Sequence, residues 1–453
     1  MSPQDKKLMR KINACVEQKN LRKAKELLTD MEPVDIAEGL EGLPPAMLVL
    51  YFRLLPKDLA VEVFELLGFD EQERFLAHAT DQEVSEMIEE MSDDDRTELF
   101  DELPAMTVKR LLMKLSPQER RLANALMGYP QDSAGRIMTA EYIDLKAHMT
   151  VKTALERIRA TAHDKETIYT CFVTDEARHL LGAVELEDLV LAQPDACILD
   201  VMDGDPVSVF TVTDREEAAR VISRYDLHTL PVVDSENRLV GIITFDDILD
   251  VVEEEATEDY ERMAGVEPVD AEYLDANITT VAGKRFIWLV ICILTEALTS
   301  TVLKHYSLLT QQIVSLTFFI PLLIGTGGNA GTQAATLMIR GMTIGEIHWN
   351  DVGRILLREC ATGLLLGAAL GVLGMARAWS LHTGIVVAST VAVGMMLVVL
   401  LGNLAGTLLP LLARLIHIDP AIMSGPFITT VVDVCGLIVY FETAQLFLSR
   451  MTL

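Results

Sequence analysis

The chain has 453 residues, half of them hydrophobic, and a formal net charge of −29. This charge belongs to one part of the chain: residues 1–283 carry 29 Lys and Arg against 60 Asp and Glu, whereas residues 284–453 carry nine against seven. So acidic a chain repels nucleic-acid phosphates, which excludes nucleic acid as a partner and leaves metal cations as natural ones. Six scattered cysteines without CxxC spacing indicate neither a disulfide framework nor a zinc site.

The first 133 residues predict an acidic domain built from short helices. Their first segment, MSPQDKKLMRKINACVEQ, lacks the apolar core of a secretory signal, so residues 1–283 are expected in the cytoplasm. Between residues 20 and 130, apolar residues recur every three or four positions between LPP, LP and GF breaks. Ser116 and Glu119 fit a capping box. Because short helices bury their apolar stripes only against neighbours, an array of helical hairpins is expected.

Residues 134–250 predict strands alternating with helices, and the pattern occurs twice, over about 134–199 and 200–250. Met138 and Met202 are 64 positions apart, which indicates an internal duplication. The stretch LPVVDSENRLVGIITFDDIL resembles the last two strands and final helix of a CBS domain. The region is therefore similar to a tandem CBS pair, which implies an α/β regulatory module that binds adenine nucleotides or metal ions.

A nucleotide site is a further implication of this resemblance. CBS domains that bind nucleotides use a Thr or Ser, followed two positions later by Asp, against the ribose. The second repeat has Thr244 and Asp246, whereas the first departs from the pattern with Glu185 and Glu187, followed by Asp188. ATP is thus a candidate cofactor, with Asp188, Thr244 and Asp246 as its candidate contacts.

The remaining part of the chain predicts a membrane domain with five helices. Residues 251–283 continue the last CBS helix into a connector, and residues 284–453 then contain five apolar stretches. Each stretch reaches or exceeds the ~20 residues that cross a ~30 Å hydrocarbon layer. The stretches are approximately 286–303, 314–339, 355–376, 385–413 and 421–448.

Flanking charges predict the orientation of these helices in the bilayer. Five spans place the two termini on opposite sides, and the positive-inside rule assigns the more basic side to the cytoplasm. The N-terminal domains are therefore expected in the cytoplasm and the C-terminus outside, in a multi-pass inner-membrane protein. The basic residues are Lys284, Arg285, Arg340, Arg354, Arg358 and Arg414 on the inner side and Lys304, Arg377 and Arg450 on the outer side.

One carboxylate stands out in the last apolar stretch. Asp433 lies near its middle, with Glu442 as the only other ionisable acid there. An anion at such depth costs on the order of 3 kcal/mol on insertion scales, so it usually faces a bundle interior or water. A cation pathway and a proton-coupled carrier both fit this position. Glu296 and Glu359 lie in other stretches, and their roles stay open between lining the pathway and pairing with a neighbouring helix.

The second apolar stretch is rich in glycine and amides, in PLLIGTGGNAGTQAATLMIRG. Local unwinding here would expose backbone carbonyls, which together with Asn329 and Gln333 are oxygen ligands suited to Mg²⁺ or Ca²⁺. Close helix packing through small residues is the other interpretation.

These motifs together resemble the MgtE family of magnesium transporters. PLLIGTGGNAGTQAATLMIR is similar to the family signature and DPAIMSGPFITTVVDVCGLIVYF to its last membrane helix, and the domain order matches. The resemblance implies a homodimeric, non-enzymatic Mg²⁺ channel with its pore at the dimer interface, in which Asp433 selects the ion and Asn329 lies beside the pore. A proton-coupled or broader divalent carrier, for Co²⁺ or Mn²⁺, with CBS nucleotide sensing is the alternative.

An acidic stripe precedes the membrane domain. Asp247, Asp250, Glu254, Glu258 and Glu261 follow one another at intervals of three or four, which stacks like charges on one helix face. A solvated face is one interpretation. The resemblance implies the other, in which the helix plugs the pore and cytosolic Mg²⁺ clamps it shut. The implied regulatory ligands are Asp214, Glu216, Asp226, Asp247, Asp250, Glu255, Glu258 and Asp259, with Asp94 and Asp95 as weaker candidates.

Two other classes of protein fit parts of this pattern less well. A CBS-regulated anion channel would need basic or N–H groups in the membrane, whereas the spans contain Asp433 and Glu296. A nucleotide sensor merely anchored to the membrane would not need amides, glycines and a carboxylate at mid-bilayer.

Overall fold

A computed structural model describes residues 3–269, 277–423 and 425–451. The chain forms two compact units, Met1–Val252 and Glu253–Leu453. A mixed architecture of helical array, paired α/β repeats and apolar helices confirms the predicted fold class.

Ten short helices make up the N-terminal array. Thr80 and Glu83 form a complete capping box at one of them, while the predicted Ser116 cap accepts a hydrogen bond from the Glu119 backbone N–H. Three aromatic rings, Phe52, Phe64 and Phe75, pack in the core. The helices are α1 (Pro3–Glu17), α2 (Leu21–Thr29), α3 (Pro33–Leu40), α4 (Pro45–Phe52), α5 (Lys57–Glu65), α6 (Phe69–His78), α7 (Asp81–Glu90), α8 (Asp93–Glu102), α9 (Ala105–Leu112) and α10 (Pro117–Leu126).

A buried ion pair fixes the orientation of α8. Arg96 is 1% exposed and contacts the carboxylates of Asp93 and Glu119, the latter on α10. The other Asp93 oxygen accepts a hydrogen bond from the Ala140 N–H at 3.2 Å, at the start of the α/β region. Because both charges are buried and paired, loss of either partner would leave an uncompensated charge. Helix α8 is thus held against both α10 and the segment that follows the array.

The α/β region consists of two equivalent three-stranded sheets, in the orders β1-β2-β3 and β4-β5-β6. In each sheet the first pair is parallel and the second antiparallel. Thr170 pairs with Glu185 in the first sheet as Thr229 pairs with Thr244 in the second, so Glu185 and Thr244 occupy equivalent positions. The elements are β1 (Asp144–Lys146), α11 (Val151–Thr161), β2 (Thr170–Thr174), β3 (Leu180–Glu185), α12 (Leu186–Leu191), α13 (Ile198–Val201), β4 (Val209–Phe210), α14 (Arg215–Tyr225), β5 (Thr229–Val233), β6 (Leu239–Thr244) and α15 (Phe245–Met263).

Among the described residues of the second unit, five helices are long and apolar enough to cross a membrane. They belong to the segments Ile278–His305, Val314–Thr343, Trp349–Ser380, Ile385–Leu415 and Gly425–Ser449. Part of the predicted connector, residues 270–276, lies outside the described residues. The α-helices are α16 (Ile278–His305), α17 (Ser307–Gln312), α18 (Ile320–Thr343), α19 (Val352–Ser380), α20 (Ile385–Leu415) and α21 (Gly425–Met451).

Glycines bring the membrane helices into backbone contact. A Cβ atom at Gly402 would collide with the Gly327 carbonyl, and one at Gly406 with the Gly331 carbonyl, so α18 and α20 cross without intervening side chains. Helix α18 is continuous from Ile320 to Thr343. Of the two interpretations of these glycines, the structure therefore favours close packing of the kind small residues allow in membranes, and local unwinding is wrong.

Candidate cation sites

Asp433 lies on α21 and is buried by its own chain. Its side chain is only 8% exposed, and its Oδ1 atom is buried with no hydrogen-bond partner among the described residues. Just before Asp433 on this helix, Thr429 packs against Gly328 and Val432 against Gly327 of α18. A buried carboxylate oxygen without a partner carries the full desolvation cost, so the position calls for water, a cation or another chain.

A polar face of α18 is left uncovered by the rest of the chain. Gly325, Asn329 and Gln333 are spaced by four residues, which places them on one face, and all three are exposed. The neighbouring Gly327 and Gly331 are buried against α20. The helix that packs against Asp433's helix therefore presents its amides away from its own bundle.

Three further carboxylates lie in the membrane helices. Glu359 accepts a hydrogen bond from the buried Asn403 amide at 3.2 Å, and Glu442 accepts one from the Tyr306 hydroxyl at 2.6 Å. Both are thus paired within the chain. Glu296 is exposed on α16. Of the acids whose roles the sequence left open, Glu359 pairs between helices, whereas Glu296 faces away from the bundle.

The end of α15 packs against the membrane helices. Met263 contacts an apolar cluster that includes Ile339 of α18 and Ile428 of α21. Asp259 accepts a hydrogen bond from the Thr343 hydroxyl, the last residue of α18, at 3.2 Å. Burial and the nearby Asp419 carboxylate raise the pKa of Asp259.

Arg262 lies between two carboxylates at the same end of α15. It pairs with Glu258 one turn earlier and with Asp419, which precedes α21. The candidate regulatory residues Glu258 and Asp259 therefore lie near the end of α18, and the Arg262 guanidinium lies beside them. Glu255 lies one turn before Asp259 on this helix.

A second acidic cluster joins α8 to the first turns of α15. Burial raises the pKa of Asp94 well above its usual range, and the Asp247 and Asp95 carboxylates add to this effect. The Asp94 Oδ1 atom is buried with no hydrogen-bond partner among the described residues. Asp247 accepts a hydrogen bond from Thr244, and its pKa is also raised, by burial and by Asp246. Asp94 and Asp95, the weaker sequence candidates, thus lie beside Asp247.

Sequence reasoning missed three acids around this cluster, Glu65, Glu141 and Glu166, and burial together with the Asp247 carboxylate raises the pKa of Glu166 to about 7. Glu65 of α5 accepts a hydrogen bond from the Ser92 N–H at 2.9 Å, and burial raises its pKa to about 8. Burial and the nearby Asp93 raise the pKa of Glu141 to about 7. The acidic run SDDD at residues 92–95 was the available signal, but no local pattern connects Glu65 to it. The tertiary fold alone brings these acids together.

Other candidates are not brought together within one chain. Asp214 caps the N-terminus of α14 and Asp226 ends the same helix, which separates them by roughly 18 Å at 1.5 Å per residue. Glu216 pairs with Arg220 at 3.3 Å. Within residues 3–269, 277–423 and 425–451, no three His, Cys, Asp or Glu side chains are placed to hold one metal ion.

The nucleotide candidates lie in different repeats. Thr244 donates its hydroxyl proton to Asp247, and Asp246 is exposed beside it. At the equivalent place in the first repeat, Glu185 accepts a hydrogen bond from the Thr170 hydroxyl at 3.0 Å. Asp188 is exposed on α12. The second repeat therefore keeps the hydroxyl and carboxylate of Thr244 and Asp246. At the hydroxyl position the first repeat has Glu185, which is already hydrogen-bonded to Thr170.

Five apolar helices with a buried carboxylate among them, together with a paired α/β module, define a multi-pass membrane transport protein with a cytosolic N-terminal part. The MgtE profile, described as a divalent cation transporter, matches residues 320–443, and the profile of the MgtE intracellular N domain matches residues 31–132. CBS domains match residues 134–195 and 198–254. The chain is 37% identical over 451 residues to the magnesium transporter MgtE of Thermus thermophilus, covering 98% of this chain and 99% of that protein. It belongs to the MgtE family, as the sequence predicted.

Other relatives agree with this assignment. The magnesium transporter MgtE of Bacillus subtilis is 31% identical over 94% of both chains. A solved cytosolic domain of the Mg²⁺ channel MgtE in complex with ATP is 37% identical, with a TM-score of 0.51, and covers 54% of this chain and 99% of its own. The soluble part of a magnesium transporter is 27% identical, with a TM-score of 0.53, over 56% of this chain and 99% of its own. The full-length relatives are named as transporters, which confirms that the chain is not an enzyme.

The buried acids predict that the cytosolic unit loses stability as pH rises. The pKa of Glu65 is about 8 in the folded chain, well above ~4.3 for an unperturbed Glu, so the folded state holds a proton that the unfolded state has lost. This stabilisation is complete below the unfolded pKa and is lost as pH rises through about 8. In metal-free detergent buffer, the first calorimetric unfolding transition should fall by a few degrees between about pH 6 and pH 9.

Glu65→Gln should flatten part of this decline, and Glu89→Gln, which removes an exposed acid of the same array, should not. A decline of equal slope in the wild type and in Glu65→Gln would contradict the assignment.

Proposed function

We propose that the chain is a Mg²⁺-selective channel that works as a homodimer and imports Mg²⁺ across the inner membrane. The observation that carries the proposal is the Asp433 Oδ1 atom, buried in a membrane helix without a partner among the described residues. A cation that approaches between two copies would supply that partner. The names of the full-length relatives support magnesium as this cation.

Mg²⁺ sheds its water reluctantly, so selection is expected to act through the hydrated ion. In a two-fold dimer, two Asp433 carboxylates would face one axis, and a divalent ion between them would relieve their repulsion. The exposed amides of Asn329 and Gln333 are suitable hydrogen-bond partners for the ion's water shell. The uncovered polar face of α18 supports a pore between two copies rather than through one bundle.

Gating is proposed to depend on the acidic clusters outside the membrane. Asp94, Asp95 and Asp247 lie close together with raised pKa values, so their simultaneous ionisation is costly without a cation. Bound Mg²⁺ would remove that cost and hold α8 to α15, whereas repulsion would separate them when Mg²⁺ is scarce. The further proposed regulatory ligands are Asp214, Glu216, Asp226, Asp250, Glu255, Glu258 and Asp259.

Bound Mg²⁺ would shift an equilibrium between a closed and an open form. This shift requires tighter Mg²⁺ binding in the closed form than in the open form. The end of α15 is suited to a plug, because Asp259 contacts the end of α18 and Arg262 pairs with Asp419, which lies just before α21. A proton-coupled or broader Co²⁺ or Mn²⁺ carrier with CBS nucleotide sensing is the competing proposal.

The role of Asp433 in the pore is tested by substitution. Asp433→Ala should reduce Mg²⁺ uptake into liposomes below about a tenth of wild type, because the ion-selecting carboxylate is lost. Glu442→Gln is the matched control, since it neutralises the other acid of α21, whose partner is Tyr306. Uptake is measured with a Mg²⁺-sensitive dye, and folding by gel filtration. Selective uptake by Asp433→Ala would remove this residue from the pore, and uptake driven by a pH gradient alone would favour the carrier.

Gating by the acidic stripe is tested by neutralising three of its acids. Asp247→Asn, Asp250→Asn and Glu258→Gln in one chain should leave the channel conducting at millimolar cytosolic Mg²⁺, because the clamp loses its charges. A control triple, Glu156→Gln, Glu176→Gln and Asp195→Asn, removes three exposed acids of the α/β region. Single-channel recording at stepped Mg²⁺ concentrations compares the two. Normal inhibition of the first triple variant by Mg²⁺ would contradict the proposal and show that the acidic stripe is only a solvated face.

ATP binding is proposed at the second CBS repeat. The support is the ATP complex of the 37% identical cytosolic domain and the Thr244 and Asp246 pair of this chain. Asp246→Ala should weaken ATP binding about tenfold, the effect of roughly one charged hydrogen bond, in titrations of the full chain. Asp188→Ala should leave it unchanged, because the first repeat has Glu185 at the hydroxyl position. Equal losses in both variants would assign a nucleotide to each repeat.

A further inference from the structure

Helix α19 carries one outward stripe that changes character along its length. Its packing face is made of Gly363, Gly367 and Gly371, which meet the backbone of α20. On the opposite face, Leu365 is 74% and Val372 is 68% exposed. At 100° per residue, Arg354 and Arg358 lie on this same outward face, toward the first turns of the helix. The stripe therefore begins with two cations and continues with aliphatic side chains.

The aliphatic part of the stripe is typical of a surface covered by lipid. It ends at Trp379, which is 69% exposed in the last turn of α19. Trp is enriched where a membrane helix reaches the headgroup level. Since the N-terminal part is cytosolic and α19 is the third span, Trp379 lies at the outer leaflet and the two arginines at the inner one.

The two arginines are available to an anion. The Arg354 side chain is 88% exposed, and its nearest carboxylate, Asp351, is 3.8 Å away and itself exposed to solvent. No carboxylate lies within ion-pair distance of Arg358 among the residues that the structure describes. The adjacent Glu359 points to the other side of the helix, where it accepts the Asn403 amide proton. Two cations four residues apart thus share one face at the depth of the inner headgroups.

We propose that Arg354 and Arg358 bind the phosphate of an anionic phospholipid in the cytoplasmic leaflet, with its acyl chains along Leu365 and Val372. Charge complementarity selects the headgroup, because guanidinium groups bind phosphate through several hydrogen bonds. The aliphatic continuation of the stripe distinguishes a lipid from a free phosphate, which would gain nothing from it. The site is independent of ion selection and gating.

Lipid titration of the full chain tests this site. The chain in nanodiscs of phosphatidylcholine is titrated with phosphatidylglycerol, and binding is followed by native mass spectrometry. Arg354→Gln with Arg358→Gln should weaken phosphatidylglycerol binding about 25-fold, from about fivefold per basic residue near an anionic headgroup. Arg377→Gln is the matched control, because it removes a cation from the opposite end of the same helix. It should leave binding within about twofold of wild type.

Two further measurements distinguish a bound lipid from a free anion and from a second copy of the chain. Millimolar inorganic phosphate should not displace the lipid, and displacement would assign the arginines to a free anion instead. Gel filtration of the double variant in lipid-free detergent should match wild type, whereas a changed oligomeric state would assign this face to a second copy. Equal losses of phosphatidylglycerol binding in the double variant and in Arg377→Gln would show that the effect comes from net charge alone. Each of these three results overturns the proposal.

Discussion

An ionised carboxylate that is buried loses its solvation, and only a cation, a hydrogen-bond donor or water can compensate for that loss. The membrane domain meets this constraint in two ways. Glu359 and Glu442 are paired with Asn403 and Tyr306 of the same chain, so they add polar contacts between helices. Asp433 keeps a buried oxygen without such a donor among the described residues. This difference, more than depth in the bilayer, separates a structural acid from a candidate for ion selection.

The same constraint acts outside the membrane on a larger set of acids. Asp94, Asp95 and Asp247 are held within one another's electrostatic reach although the folded chain gains nothing from their repulsion. Arg96 contributes indirectly, because its buried contacts with Asp93 and Glu119 orient α8 and thereby bring the next two aspartates to α15. A divalent cation among these acids would relieve the repulsion between their ionised forms. The arrangement is the one expected of the proposed cation sensor.

The fold was largely predictable because its signals are local. Apolar periodicity gives the helical array, the duplicated strand pattern gives the paired sheets, and length with composition gives five membrane helices. The glycines of α18 were ambiguous, since Gly327 and Gly331 fit both unwinding and packing, and only the course of α20 decides between them. Asp433 was identifiable because it is an isolated charge in an apolar run. Glu65 was not, because its partners come from α8 and the α/β region, far away in sequence.

The end of α15 contacts the membrane helices. It touches α18 through Thr343 and packs on an apolar cluster that contains Ile428 and Val432 of α21. Val432 in turn lies against Gly327, next to Asp433. A displacement of the α15 end would therefore act on both helices that carry the candidate pore residues. Because α18 and α20 are in backbone contact, they resist deformation, and such a displacement would move the helices as bodies instead of being absorbed locally.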